Sequence, residues 1–277
     1  MSTALDRQLL DTAEAFDSVA ASYDGPQGNN ELIQRMRAIT WARIESLLPS
    51  GPAWLIDIGC GTGIDAEHFA ALGHHVVATD WSPAMVERAA ARAPVSGTAG
   101  SVRAERVGAQ ELDRLASEHM AAFDVAYSNF GPLNCVPDLS RTAADLALLM
   151  RPGGHAVLTV MGRWCPWEIA HYARRRRWAR ARVRFSRRVM PVGMNGHTIW
   201  TRYFTPREFA REWLAGGGWE VVSYEGLSTF VPPPYLDALA TQRPRLFRRL
   251  VRLDARTAAW PVLRTAGDHF LIVLRRR

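Results

Sequence analysis

The chain has no lysine: each of its 34 basic residues is arginine. Usage so one-sided reflects coding composition more than function, so the charge argument must rest on position. Cysteine is almost missing as well, with only Cys60, Cys135 and Cys165. An odd number at no metal-ligand spacing argues against a metal site and for a reducing cytoplasm. No apolar run approaches the ~20 residues that a membrane-spanning helix needs. The opening Met1-Ser2-Thr3-Ala4-Leu5-Asp6 lacks the basic-then-apolar pattern of a secretory signal. Internal repeats and low-complexity tracts are absent too. What remains is a chain of 277 residues, 48% hydrophobic, enough for one domain with insertions.

The net charge of +7 hides a division. Residues 1–150 carry 10 arginines against 19 acids, and residues 151–277 carry 24 against 8. An acidic half joined to a basic half predicts different partners for each.

The acidic half holds the most informative run, Trp54-Leu55-Ile56-Asp57-Ile58-Gly59-Cys60-Gly61-Thr62-Gly63. An apolar strand ends in an acid and three glycines at alternate positions. A helix-like segment follows, then a second apolar run, His75-Val76-Val77-Ala78-Thr79, closed by Asp80. Strand, glycine turn, helix, strand and acid form the skeleton of a nucleotide-cofactor site, in which backbone N–H groups approach the ligand and the acid holds a ribose diol. A dinucleotide site wants its third glycine at position 64, which is Ile64.

With Asp57 in front and Gly63 in third place, the run resembles motif I of the class I S-adenosylmethionine (SAM) methyltransferases. The resemblance extends over about residues 12–162. Asp80 matches the acid that accepts both ribose hydroxyls, and Trp81-Ser82-Pro83-Ala84-Met85 matches the segment after strand 2 that lies against adenine. Gly108-Ala109-Gln110-Glu111-Leu112 falls at the adenine-edge loop, where Ala109 replaces the usual acid; Gln110, Glu111 or backbone groups alone are the open substitutes. Phe123 to Gly131 resembles strand 4 running into the loop with Ser128 and Asn129 at the methionine end. The resemblance implies SAM as cofactor, with Asp57, Gly59, Cys60, Gly61, Gly63, Asp80, Trp81, Met85, Ala109, Gln110, Ser128 and Asn129 as its site. Phe16-Asp17-Ser18-Val19-Ala20-Ala21-Ser22-Tyr23-Asp24 resembles a start found in many small-molecule members, where the segment folds over the cofactor and the tyrosine faces the reacting centre.

Alternation of strands near 53–58, 75–79, 103–107, 122–128 and 155–160 with helices predicts a parallel sheet covered on both faces. A helix from Thr205 to Leu214 and strands at 219–226 and 268–274 complete it. The expected fold class is therefore α/β: a doubly wound, Rossmann-like, seven-stranded and mostly parallel sheet, with a small α+β cap inserted after strand 5. An N-terminal helical segment at 1–50 would lie over the cofactor site, and the domain at 51–277 would carry cap insertions near 162–204 and 228–267. In the first insertion, Asn195-Gly196 between two apolar runs predicts a hairpin. Nine arginines within 174–188, with Trp178, Ala181, Phe185 and Val189 at helical spacing, predict one basic helix there.

Methyl transfer from a sulfonium is an in-line displacement that needs positioning and exclusion of water, no metal, and at most a modest base. Tyr23, His171 and His197 are the candidate catalytic groups, with Glu168 also near the expected pocket. Trp164, Trp167, Trp200 and Tyr235 suggest a flat, apolar or aromatic small-molecule substrate. The basic segment leaves an acidic carrier protein or an anionic surface open as partner. Nucleic acid is disfavoured, because Ser128-Asn129-Phe130-Gly131 lacks the Asn-Pro-Pro-Tyr pattern of adenine-modifying relatives. A SAM-binding scaffold without transfer remains a second reading, an RNA or carrier-linked substrate a further one, and Ile64 speaks against a nicotinamide oxidoreductase. Asp80→Ala and Gly61→Val are each expected to abolish SAM binding in calorimetry while leaving the fold largely intact. Unchanged affinity in both would overturn the cofactor assignment.

Overall fold

Leu55 and Ile56 are adjacent and both fully buried, because the strand they share is covered on two faces. The computed structural model describes residues 4–26, 28–92, 100–236 and 238–277, so positions 1–3 and 27 of the expected N-terminal segment and position 237 of the second insertion lie outside the described residues. Two helices lead in, α1 (Ala4–Val19) and α2 (Glu31–Glu45). Then β1 (Trp54–Ile58), α3 (Ile64–Ala71), β2 (His75–Thr79), α4 (Pro83–Ala91) and β3 (Ser101–Glu105) alternate. A short α5 (Ala116–His119) precedes β4 (Phe123–Ser128), α6 (Leu139–Leu149) and a long β5 (Met150–Met161). The first insertion contributes α7 (Pro166–Arg174), α8 (Trp178–Ala181), β6 (Met190–Met194) and β7 (His197–Thr201). After α9 (Pro206–Ala215) and β8 (Trp219–Leu227), the second insertion adds α10 (Ala238–Gln242) and α11 (Pro244–Thr257), and β9 (His269–Arg276) closes the sheet.

The seven strands of that sheet run in the order β3-β2-β1-β4-β5-β9-β8. All neighbours are parallel except β9, which runs antiparallel to β5 and β8. Leu55 pairs with Val76 on one side and Val125 on the other, which fixes the register of the central strands. Period two then sorts the side chains. Ile56 and Ile58 join Val77, Ala126, Leu158 and Ile272 in one layer under Leu146, Phe209 and Trp213 of α6 and α9. Leu55 joins Val76, Val125, Val157 and Leu271 in the other, under Ile44 and Phe69 of α2 and α3.

Local chemistry ends the helices where the sequence allows. Asn30 accepts from the N–H groups of Leu32 and Ile33, Ser82 from that of Met85 ahead of Pro83, and Thr205 with Glu208 forms a full capping box. Asn195 and Gly196 both take positive φ (48° and 82°) in the turn between β6 and β7, as the dipeptide predicts. The third strand lies at 101–105, two residues earlier than expected, because its register to β2 starts at His75–Ser101. Its expected last residues instead enter the loop above the sheet.

The single basic helix expected over 174–188 does not form. α7 stops at Arg174, Arg176 takes φ 55°, and α8 gives way to a 3₁₀ turn at 183–185. The apolar spacing fails to hold a helix because Trp178, Phe185 and Val189 stay exposed, whereas Arg184 is drawn into the protein. There its guanidinium meets Glu168 at 2.8 Å and Asp268 at 2.7 Å, lies over Tyr203, and donates to the carbonyls of Gly162 and Asp268. The Tyr235 hydroxyl donates to the same Glu168 carboxylate. One buried cation thus joins both insertions to the start of β9.

Burial alone would raise the Asp268 carboxyl, but Arg184 and His269 outweigh it and hold it well below the usual carboxylate range. A depressed carboxylate stabilises the fold above its unfolded pKa and loses that contribution as it is protonated. Stability should therefore fall as pH drops below about 4. Arg184→Met strips the guanidinium from two buried carboxylates, leaving Asp268 only His269 at 3.0 Å, and should cost ~3–5 kcal/mol, read as a lowered melting temperature at pH 7. A variant melting like wild type would show that the cap does not depend on this pair.

Candidate active site

The loops after β1 and β2 are stitched together by backbone. The N–H groups of Gly59 and Cys60 both donate to the Thr79 carbonyl, at 2.8 and 2.9 Å. Asp80 then accepts from Gly61 N–H through one oxygen and Ser82 N–H through the other, each at 2.9 Å. Gly59 has φ 72°, and a Cβ there would lie 2.3 Å from Pro132, so the turn admits no side chain at that position. Gly61 differs: its space is open up to the Tyr23 ring, 3.6 Å from where a Cβ would be. Burial raises the Asp80 carboxyl, and the N–H donors partly offset it.

Above this floor lies a cavity of about 320 Å³. Gly59, Gly61, Asp80, Trp81, Ala109, Gln110 and Asn129 line one end, which brings together seven of the twelve expected cofactor residues. The other five stand behind. Asp57 is buried, with its carboxyl pushed well up by burial and by the charge of Asp65. Cys60 turns its thiol to the Gly61 carbonyl, Gly63 abuts Ala89, and Met85 is buried in the α4 core. Ser128 ties β4 to β1 by donating to the Ile58 carbonyl at 2.7 Å. At the adenine-edge loop Glu111 turns away to Arg114, leaving Gln110 at the cavity.

Gln110 Nε2, Trp81 Nε1 and Asn129 Oδ1 are buried without a partner among the described residues. Buried polar atoms of this kind need a partner, and here they surround the cavity end floored by glycines and Asp80. The residues therefore fit a nucleoside bearing an amino-acid tail. Asp80 would hold the ribose, Trp81 and Gln110 the base, and the glycine turn with Asn129 the tail. Asn129 is itself placed by Asp65, which also binds Arg37 and Trp41. Arg37 lies over the Phe130 ring of the cavity wall and was not singled out by sequence, since nothing local marks one arginine of α2.

The roof is the N-terminal segment. Leu9, Thr12, Ala13, Phe16 and Tyr23 face the cavity. Two carboxylates latch the segment down. Asp17 accepts from the Ser82 hydroxyl at 2.5 Å and from Ala84 N–H at the start of α4. Asp24 accepts from the Thr62 hydroxyl and pairs with Arg92, both at 2.5 Å.

The far wall belongs to the β6–β7 hairpin, whose Val192, Met194, Ile199 and Thr201 face inward beside Met161 and Tyr203. Strand alternation turns Trp200 to the opposite face, where its indole donates to Asp11 at 2.8 Å. Apart from Tyr23, the structure brings none of the expected substrate or base residues to this cavity. Trp164 is exposed against Phe185, Trp167 donates to the Phe230 carbonyl, and Tyr235 is spent on Glu168. His171 lies among arginines, its pKa lowered by partial burial and by Arg175 and Arg177; His197 is exposed at the hairpin turn. Tyr23 alone of the catalytic candidates reaches the cavity, with burial and then the Asp80 charge raising its pKa. The inward residues of the hairpin were legible in principle, since Val192 and Ile199 are cross-strand partners at period two.

Residues 31–224 match a family model described as a methyltransferase domain. Over 205 residues the chain is 29% identical to the ubiquinone biosynthesis O-methyltransferase of Xanthomonas axonopodis pv. citri (strain 306), covering 74% of this chain and 77% of the relative. Among solved structures, a Burkholderia thailandensis 1,6-didemethyltoxoflavin-N1-methyltransferase with bound substrate and S-adenosylhomocysteine superposes with TM-score 0.57 at 18% identity, over all of this chain and 92% of that one. An S-adenosylmethionine dependent methyltransferase from Mesorhizobium loti gives TM-score 0.52 at 23% identity, over 87% and 100%. At these identities the structural likeness is one of fold.

Replacing both latches (Asp17→Ala with Asp24→Ala) should weaken SAM binding. At ~1 kcal/mol for each lost cap-type contact, the expected rise in Kd by calorimetry is about tenfold or more. An unchanged Kd would show that the segment does not close over the cofactor.

Proposed function

The chain belongs to the class I SAM-dependent methyltransferases, and from that premise we propose that it methylates a small, hydrophobic or aromatic metabolite held between the glycine turn and the β6–β7 hairpin. The observation that carries this is the lining of the cavity beyond Asp80, where valine, isoleucine, methionine and phenylalanine side chains dominate and no arginine or histidine enters. The relative named as an O-methyltransferase supports oxygen as the accepting atom. The family sets aside the nicotinamide reading, and its match to a methyltransferase domain and to a relative named as an O-methyltransferase favours transfer over the inactive-scaffold reading. Three free cysteines, two of them buried, accord with a reducing cytoplasm.

When bound, SAM supplies an electrophilic methyl group. The residues do the rest by position. Apolar walls on α1 and the hairpin exclude water from the acceptor, which leaves its lone pair unsolvated and reactive. The lining groups able to titrate are Tyr23, Asp80, Cys135 and Tyr203. Burial pushes Cys135 up to about 11 and Tyr203 up to about 12, and Tyr23 is raised as well. Near neutral pH these three stay protonated, so they donate hydrogen bonds and accept no proton. Asp80 already receives two N–H groups. Such a site orients an acceptor that ionises without help, such as an acidic phenol, rather than deprotonating one.

Three measurements test this. The pH profile of kcat/KM should follow the substrate's own ionisation across a phenol series of differing pKa; a fixed enzymic pKa near 6–7 would reveal a histidine base and overturn the reading. Ile199→Arg should lower kcat/KM at least ~100-fold, as expected for a charge placed in an apolar pocket, without altering SAM affinity. His171→Ala and His197→Ala should stay within about twofold of wild type, far below the ~10²-fold loss expected for a general base.

A further inference from the structure

The arginines of α11 are used differently from most others in this chain. In the first half Arg37, Arg43, Arg88, Arg92, Arg103, Arg114 and Arg141 each meet a carboxylate within 4 Å. On α11, Arg245, Arg248, Arg249, Arg252 and Arg256 are all exposed, and none forms an ion pair among the described residues. The helix does contain one acid, Asp254, but it points inward. It is buried and accepts the N–H groups of Phe230 and Val231, at 2.8 and 3.0 Å. The outer face of α11 is therefore purely cationic.

It is also greasy. At 100° per residue, Phe247, Val251 and Asp254 cluster on one side of α11 and turn toward the core with Leu32 and Val231. Leu246 and Leu253, seven residues apart, fall within about 20° of each other on the shoulder beside that buried side. Each is 40% exposed. Arg249, Arg256 and Arg245 come next around the helix. Just past its end, Trp260 and Val262 are 58% and 76% exposed. Leucines flanked by unpaired arginines, with a tryptophan at the margin, are what a helix lying in a lipid headgroup layer requires. The guanidinium groups meet lipid phosphates while the apolar side chains enter the acyl boundary. A nucleic acid would engage the arginines yet leave Leu246, Leu253 and Val262 in water.

We propose that α11 and the turn after it dock this enzyme reversibly on an anionic lipid bilayer, lying in its surface. No helix among the described residues is long and apolar enough to cross a membrane, so the contact is interfacial. The surface is separate from the catalytic cavity, whose walls are α1 and the β6–β7 hairpin, and the inference does not depend on the identity of the substrate.

Flotation with vesicles tests it. Full-length protein should float with phosphatidylcholine–phosphatidylglycerol vesicles several-fold more than with phosphatidylcholine alone, and less as salt rises to 0.5 M, because screening shortens the reach of the charges. Arg245→Gln with Arg249→Gln and Arg252→Gln should abolish the preference for anionic vesicles. Leu246→Ser with Leu253→Ser should lower binding at equal charge. Both sets lie on an exposed face, so melting temperature, SAM affinity and turnover of a water-soluble substrate should be unchanged. Equal recovery with neutral and anionic vesicles, no flotation at all, or binding indifferent to the leucines would overturn the proposal. So would tRNA, an acidic protein or a second copy of the chain competing the vesicles away.

Discussion

The structure depends on the stitching of two loops by Asp80. Its carboxylate takes the N–H of Gly61 from the turn after β1 and that of Ser82 from the turn after β2. With the Thr79 carbonyl receiving Gly59 and Cys60, this fixes the two strand ends as one platform. Everything above is referred to that platform. Ser82 and Ala84 hold Asp17 of the roof, and Thr62 holds Asp24. The acid that would bind a ribose thus first builds the surface on which the ribose would lie, so Asp80→Ala would loosen this local platform as well as remove a ligand contact, whereas the sheet beneath rests on its own strand pairing.

The cap obeys a different logic. The helical segments of its first insertion are short, and a single buried guanidinium joins them to the second insertion and to the start of β9. Arg184 pairs with Glu168 and Asp268, while Tyr235 donates to the same Glu168 oxygen. A buried ion pair of this kind is not a strong source of stability compared with apolar packing, but it is intolerant of losing one member. Tyr203 lies under the same guanidinium and lines the cavity, so the network also sets one wall of the pocket.

How much of this was legible in the sequence varied with the range of the physics. The strands, the caps at Ser82 and Thr205, and the turn at Asn195-Gly196 are local, and the sequence read them within about two residues, except that β5 already begins at Met150, where a turn before a strand at 155–160 was expected. That Gly59, Gly61 and Asp80 would meet at one floor was legible, because a glycine turn after one strand and an acid after the next fall at neighbouring strand ends. The pocket wall was not. Large aromatics drew attention to Trp164, Trp167, Trp200 and Tyr235, yet each has found a hydrogen-bond partner or an aromatic neighbour elsewhere. The actual wall uses valine, methionine, isoleucine and threonine side chains of the hairpin, and only their period-two alternation marks them as facing inward. Arg184 was hidden for the same reason. Among nine arginines within 174–188, only tertiary contacts distinguish the one that is buried.

Trp200 has one more consequence. Its indole donates to Asp11 and its backbone N–H to Thr12, while Asn195 donates to the Ser18 carbonyl, so the hairpin is bonded along the length of α1. The roof of the cavity and its far wall are therefore tied into one piece. A displacement that opens the cavity on one side draws the other side with it, so both share a single doorway frame.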